Sequence, residues 1–231
     1  MAHQAGGQRS APRPVPQGHD ARAYLQDYAT FLQAVPFPSV VMDRRWDVVL
    51  TNSAFETLFR GVGAHPTAMP GDNFLRFVLF HPDAATVLGD HESSWCLPML
   101  AEFKAALEHS GHDHALQAIR REIGLDPLMD AAYRQGLPHW IRAVGEAAVE
   151  HDGAVRPLLH PDPRRGATEC RLIVETPKAL RDMGYTRLTL VPRDEGRSRT
   201  GGRRPPRRRG AHHLSVVPDP GGDGGRSVQE A

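Results

Sequence analysis

The sequence predicts an α+β domain: an antiparallel sheet with a helical middle covering one face. Three observations carry this prediction. Two short apolar runs lie early, split by a polar turn; residues 83–145 carry apolar side chains at helical spacing; and three later runs alternate apolar with polar residues.

The first element is a helix. Asp20 can cap it, because its carboxylate accepts free backbone N–H groups. Tyr24, Leu25, Tyr28, Phe31, Leu32 and Val35 follow on one face, and Pro36 and Pro38 end it. Val40, Val41 and Met42 then read as a strand, Asp43-Arg44-Arg45 as a turn, and Trp46 to Leu50 as the returning strand. Asn52 or Ser53 can cap a short helix presenting Phe55, Leu58 and Phe59, which Gly61 stops. Residues 61–72 read as a loop. The run Phe74 to Phe80 is too short for its period to separate helix from strand.

The middle divides into a short helical piece at 84–89 and a stronger one at 95–109, with Leu100, Phe103 and Leu107 on one face. Two more helices are expected at 116–123 and 128–133. Another starts at Pro138 and runs through Trp140 and Val144. The period then changes. Residues 155–159, 169–175 and 185–191 read as strands, with Cys170, Leu172 and Val174 alternating against Arg171, Ile173 and Glu175. Lys178 to Gly184 reads as a short helix or a loop.

Composition sets the outer limits. Hydrophobic residues make up 40% of the chain, while the 20 prolines and 22 glycines cluster at its ends. Residues 1–19 and 193–231 are therefore expected to be disordered, leaving 20–192 as the folded domain. The run Arg203-Arg204-Pro205-Pro206-Arg207-Arg208-Arg209 lies in that tail without interleaved aromatic residues, and reads as solvated charge. A formal net charge of +1 provides no strong field toward nucleic acid or membrane. Cys96 and Cys170 form no C-x-x-C pair and fit buried roles in a reducing compartment. No apolar run approaches the roughly 20 residues needed to span a bilayer. The first 18 residues hold no apolar stretch of the signal-peptide kind. A cytoplasmic protein is the expectation.

Catalytic motifs are missing. There is no G-x-S-x-G, phosphate-binding P-loop or dinucleotide fingerprint, and His91-Glu92 lacks the second histidine of H-E-x-x-H. Histidine is abundant at 13 residues, but Gly111 interrupts any helix that would align His109, His112 and His114. The expectation is a protein without enzymatic activity and without a metal.

The segment Pro36 to Phe59, PFPSVVMDRRWDVVLTNSAFETLF, resembles the opening of the MmyB-like ligand-binding domain, found at the C-terminus of many actinobacterial Xre-type regulators. The stretch NFLRFVLFHP (residues 73–82), Trp95 with its following helix, Trp140 and the His160-Pro161 step match further features in order. Together they cover about residues 21–192. The resemblance implies a PAS-like fold with a hydrophobic cavity for a fatty-acid-like or other apolar ligand, hence a sensing role in transcription regulation. Such regulators carry a helix-turn-helix domain of about 70 to 80 residues in front. Only about 19 irregular residues precede the match here, so direct DNA binding is not expected.

A cavity of that kind needs aromatic and aliphatic walls plus a few polar groups that orient the ligand. Trp46, Phe55, Phe59, Phe74, Phe77 and Trp95 are the lining candidates, each weighed against a purely structural core role. Arg76 could pair with a ligand carboxylate, or lie on a polar helix face. Asn52 could contact ligand or cap a helix, and His160 could bind ligand or haem or sit in a turn. The expected partners are a hydrophobic small molecule and a second copy or protein partner docking on the helix at 20–35. No resident cofactor is expected. The alternative reading is a pocket repurposed for biosynthetic catalysis, with haem as its cofactor.

Overall fold

Alternation along the strands sorts apolar side chains onto two opposite faces of one sheet, and helices pack on both. The computed structural model describes residues 19–145, 150–159 and 166–193, all within one compact unit. The tails expected to be disordered lie outside these residues apart from their inner ends, His19 and Arg193. So does His160. Strands β1 (Ser39–Asp43), β2 (Val48–Thr51), β3 (Val155–Leu159), β4 (Ala167–Glu175) and β5 (Tyr185–Pro192) pair antiparallel in the order β2-β1-β5-β4-β3. The last strand in sequence thus lies at the centre, with Val40 opposite Leu188, Leu172 opposite Leu190, and Arg156 opposite Cys170. The fold is α+β.

Val40, Met42, Leu158, Cys170, Leu172, Leu188 and Leu190 point to one face and join the main core. That face is covered by the helical middle: α3 (Phe74–Phe80), α4 (Ala84–Val87), α5 (Leu97–His109), α6 (His114–Leu125), α7 (Pro127–Ala131) and α8 (Leu137–Val144), with α2 (Ser53–Leu58) at the β2 side. On the reverse face Val41 and Tyr185 meet Leu25, Tyr28 and Leu32 of α1 (His19–Gln33) and Leu180 of α9 (Lys178–Asp182). Most of the apolar face of α1 is therefore occupied by its own sheet; Phe31 stays 54% exposed.

Several local expectations need correction. Asp20 lies inside the first turn of α1 and does not cap it, because the helix starts at His19; an acid there still favours the positive helix end. The run Phe74–Phe80 is helical, with Asn73 Oδ1 accepting the Arg76 N–H at 2.8 Å. The short helix before it stops at Leu58, ahead of Gly61. The helix expected at 95–109 starts inside a π-helical stretch, His91–Cys96 before α5, and a second such stretch, Ala132–Gly136, joins the helices expected at 128–133 and from Pro138. A proline follows each stretch closely, Pro98 and Pro138. A proline ring inside a helix collides with the carbonyl four residues back, here Ser94 and Arg134, and wider turns relieve that collision.

Candidate ligand cavity

The main core is not solid. A cavity of about 460 Å³ lies between the sheet and α5. Met42, Leu172, Val174, Thr186 and Leu188 form its sheet wall. Trp46, Phe74, Trp95, Met99, Glu102, Ala105 and Ala106 form the opposite side, and His151 and Arg156 complete it. Its size falls within the range of about 300–1,000 Å³ typical of small-molecule pockets.

Backbone irregularities place both tryptophans. Trp46 adopts φ 61°, one of two non-glycine residues at positive φ among those described, and so belongs to the turn and not to the start of β2. Such a conformation costs a bulky residue on the order of 1–3 kcal/mol and persists only where neighbours enforce it. Here Asp43 Oδ1 accepts from the backbone N–H groups of Arg45 (2.8 Å) and Asp47 (3.0 Å). Asn73 Nδ2 donates to the Arg45 carbonyl and to Asp47 Oδ1, both at 2.8 Å, while the Phe74 N–H donates to the Trp46 carbonyl. Trp95 lies in the first π-helical stretch, where its indole Nε1 donates to the Pro157 carbonyl at 3.0 Å. That bond joins the helical layer to β3, where the Gly89 N–H donates to the same carbonyl. A Cβ at Gly89 would come within 3.0 Å of Pro157 Cβ, so the close approach needs glycine.

One end of the cavity is polar. Arg156 projects from β3 and is 5% exposed, with its guanidinium carbon 5.2 Å from the centre of the Trp95 ring. Its Nη2 donates to His151 Nδ1 at 3.0 Å, whereas Nη1 has no hydrogen-bond partner among the described residues. An arginine can only donate, so His151 Nδ1 accepts and its proton resides on Nε2. That Nε2 lies 3.3 Å from Glu102 Oε2, without the alignment of a hydrogen bond. Burial and the Arg156 charge push His151 down to about 4, against a pull from the Pro98 carbonyl. Burial likewise pushes Arg156 down to about 10, opposed by Glu102. Burial raises the Glu102 carboxyl above its ordinary value, opposed by the Trp46 indole and Arg156. Glu102 is crowded by protein, yet 40% of its side-chain surface is open. It also borders the cavity.

The structure separates the sequence candidates. Trp46, Phe74 and Trp95 line the cavity. Phe55, Phe59 and Phe77 do not; with Phe74 they form a ring cluster whose neighbouring centroids lie 4.6 to 6.4 Å apart. Phe55 and Phe59 also border a separate hollow of about 360 Å³ beside β2. Arg76 forks onto Glu122 at 2.5 and 2.8 Å and is committed to that pair. Asn52 is fully buried and holds the chain together: Oδ1 accepts from Ser39 and Phe55, and Nδ2 donates to the carbonyls of Leu32, Val35 and Phe37. Helix α5, the segment before β3 and β3 itself thus supply three polar groups that the candidate set lacked, Glu102, His151 and Arg156.

Residues 26–144, just over half of the chain, match the MmyB-like transcription regulator ligand binding domain. The chain belongs to that family. Its MmyB-like region holds most of the helical side of the cavity, including Trp46, Phe74, Trp95 and Glu102. The match ends short of the span to residue 192 drawn from the resemblance; β3, β4 and β5, with His151 and Arg156, lie beyond it. A search of curated proteins gives no match. Cys96 and Cys170 are buried free thiols, both pushed up to about 12 by burial. No described helix of this MmyB-like protein is long and apolar enough to cross a membrane.

Proposed function

We propose that this MmyB-like domain is a sensor: it binds an apolar, fatty-acid-like small molecule in the 460 Å³ cavity and passes the signal to a partner chain or a second copy. Family membership supports the regulatory class. The single observation carrying the ligand reading is the cavity itself, walled by Trp46, Phe74, Trp95, Leu172 and Leu188 at the position where a solid core would otherwise lie. Apolar walls supply affinity through area removed from water, and a few fixed polar groups supply orientation. The reading requires no bond-breaking step, and it places the protein in the cytoplasm beside the transcription machinery.

The alternative with haem takes His160 as its ligand, which lies outside the described residues. His151, the described histidine lining the cavity, commits its lone pair to Arg156 and carries its proton on the other nitrogen.

N-phenyl-1-naphthylamine, a neutral dye that fluoresces in apolar surroundings, tests the reading. It is expected to bind one site per chain. Ala106→Phe, on the half-buried cavity side of α5, is expected to weaken binding at least tenfold without lowering the melting temperature. Equal affinity in wild type and variant would remove the basis for a ligand cavity.

A further inference from the structure

Three ionisable side chains from three separate parts of the chain converge on one end of the cavity: Glu102 from α5, His151 from the segment before β3, and Arg156 from β3. They form a chain of contacts, Glu102 Oε2 to His151 Nε2 at 3.3 Å and His151 Nδ1 to Arg156 Nη2 at 3.0 Å. The unpartnered Nη1 belongs to a residue 95% removed from solvent, and a buried guanidinium N–H without an acceptor is rare because it forfeits a charge-assisted hydrogen bond. Among the described residues the one side-chain hydrogen bond of the guanidinium is to His151, with the Trp95 ring beside it and Glu102 beyond the histidine.

We propose that Arg156 holds the anionic head of the ligand and that Glu102 is its internal counter-ion, so that seating the head draws one proton from solvent onto the Glu102–His151 pair. The proposal rests on the cavity being the ligand site, and adds to that reading a charge class and a regulation by protons. Without ligand, Arg156 and ionised Glu102 balance while His151 is neutral. An incoming anion at Nη1 leaves the cluster with one negative charge too many. Taking a proton onto the Glu102 carboxyl restores neutrality, and the new carboxylic acid donates where it previously only accepted. By linkage the effect is reciprocal: whatever protonates Glu102 tightens anion binding by the same factor.

The other groups facing the cluster do not supply this proton site. Cys170 of β4, opposite Arg156, is a thiol held neutral by burial. Trp46 presents an indole N–H, and β5 contributes Thr186 and Leu188. Asp43 and Arg44 stand at the mouth, with Asp43 Oδ1 occupied by two backbone donors. Burial raises the Asp43 carboxyl, but its bonds to the backbone N–H groups of Arg45 and Asp47 organise the turn.

Two dyes with the same rings isolate the effect in the full chain. 8-Anilinonaphthalene-1-sulfonate carries a sulfonate that stays ionised from pH 5 to 8.5, and N-phenyl-1-naphthylamine carries no charge. Sulfonate dye affinity is expected to fall as pH rises, by up to tenfold per unit, while neutral dye affinity stays flat. Glu102→Gln is expected to bind the sulfonate dye at pH 7.5 as tightly as wild type does at the acidic end, with no remaining slope. Calorimetry on the wild-type protein in phosphate and in Tris should show uptake of a fraction of a proton, up to one, per sulfonate dye bound. This measurement stands even if a variant fails to fold. Neutral dye binding alongside pH-flat sulfonate dye binding, or zero proton uptake, overturns the coupling and leaves the cavity reading intact. Failure of both dyes overturns the cavity reading and the coupling with it.

Discussion

At the scale of single residues, Asn52 shows how a polar side chain can be buried completely without cost. Both of its functional atoms are saturated, and it bonds five backbone groups from α1, β1, α2 and the connections between them. Asn52→Ala would strand the Ser39 and Phe55 N–H groups and the Val35 carbonyl, whereas the Leu32 carbonyl keeps the Val35 N–H and the Phe37 carbonyl keeps the Ser39 hydroxyl; buried unpaired groups cost about 1–3 kcal/mol each before relaxation. With partial relaxation the expected loss is about 3–4 kcal/mol, read from urea unfolding; a loss below about 1 kcal/mol would mean the stranded groups find other partners. The sequence showed that an Asn stood before a helix, which made capping legible. It could not show the three carbonyls that come from residues 15 to 20 positions earlier. Arg156 is the opposite case. In the strand Val155-Arg156-Pro157-Leu158, Arg156 shares a face with Leu158, and that alternation alone marks an inward arginine. Arg76 drew attention first because its neighbours are apolar, yet the acid that satisfies it lies 46 residues away.

At the scale of elements, prolines and caps decided what was legible. Helix starts at Asn52, Asn73, Asp113 and Asp126 follow from side chains that accept the first free N–H groups. Pro98 is also visible in the sequence, but whether a proline kinks, breaks or widens a helix depends on what surrounds it. Asp113 joins two elements: Oδ1 accepts from Ala115 and Leu116 at the start of α6, and Oδ2 accepts from Arg45 Nε at 2.7 Å. Burial alone would raise this carboxyl, but the Arg45 bond and the two backbone bonds together hold it below its ordinary value. A depressed carboxyl adds stability above its unfolded pKa of about 4, and that stability is lost as pH falls through the folded value. Asp113→Asn keeps a capping oxygen but loses the charge. It is expected to be less stable than wild type at pH 7, with the gap closing as pH falls below the ordinary carboxylate range. Thermal melts across that range check it; a gap independent of pH would assign the effect to packing.

At the scale of the whole molecule, the sheet divides its work. One face borders the cavity, and the other is covered by a separate apolar cluster around Leu32, Val41, Leu180 and Tyr185. Leu32 is fully buried in that second cluster, so Leu32→Ala is expected to cost about 2–4 kcal/mol. Because the sheet separates it from the cavity, dye affinity in the folded fraction should be unchanged; a parallel loss of affinity would show that the two faces are coupled. The α+β class, all five strands and the position of most helices were readable, because periodicity is local and strong in these segments. Strand order was not, since a central β5 requires pairing over about 150 residues of chain.

The cavity walls also make the protein its own indicator. Of its three tryptophans, Trp46 and Trp95 border the hollow. Intrinsic emission should therefore respond to any occupant that displaces water from the indoles, and candidate metabolites can be screened by colour alone, with no label and no knowledge of the downstream partner.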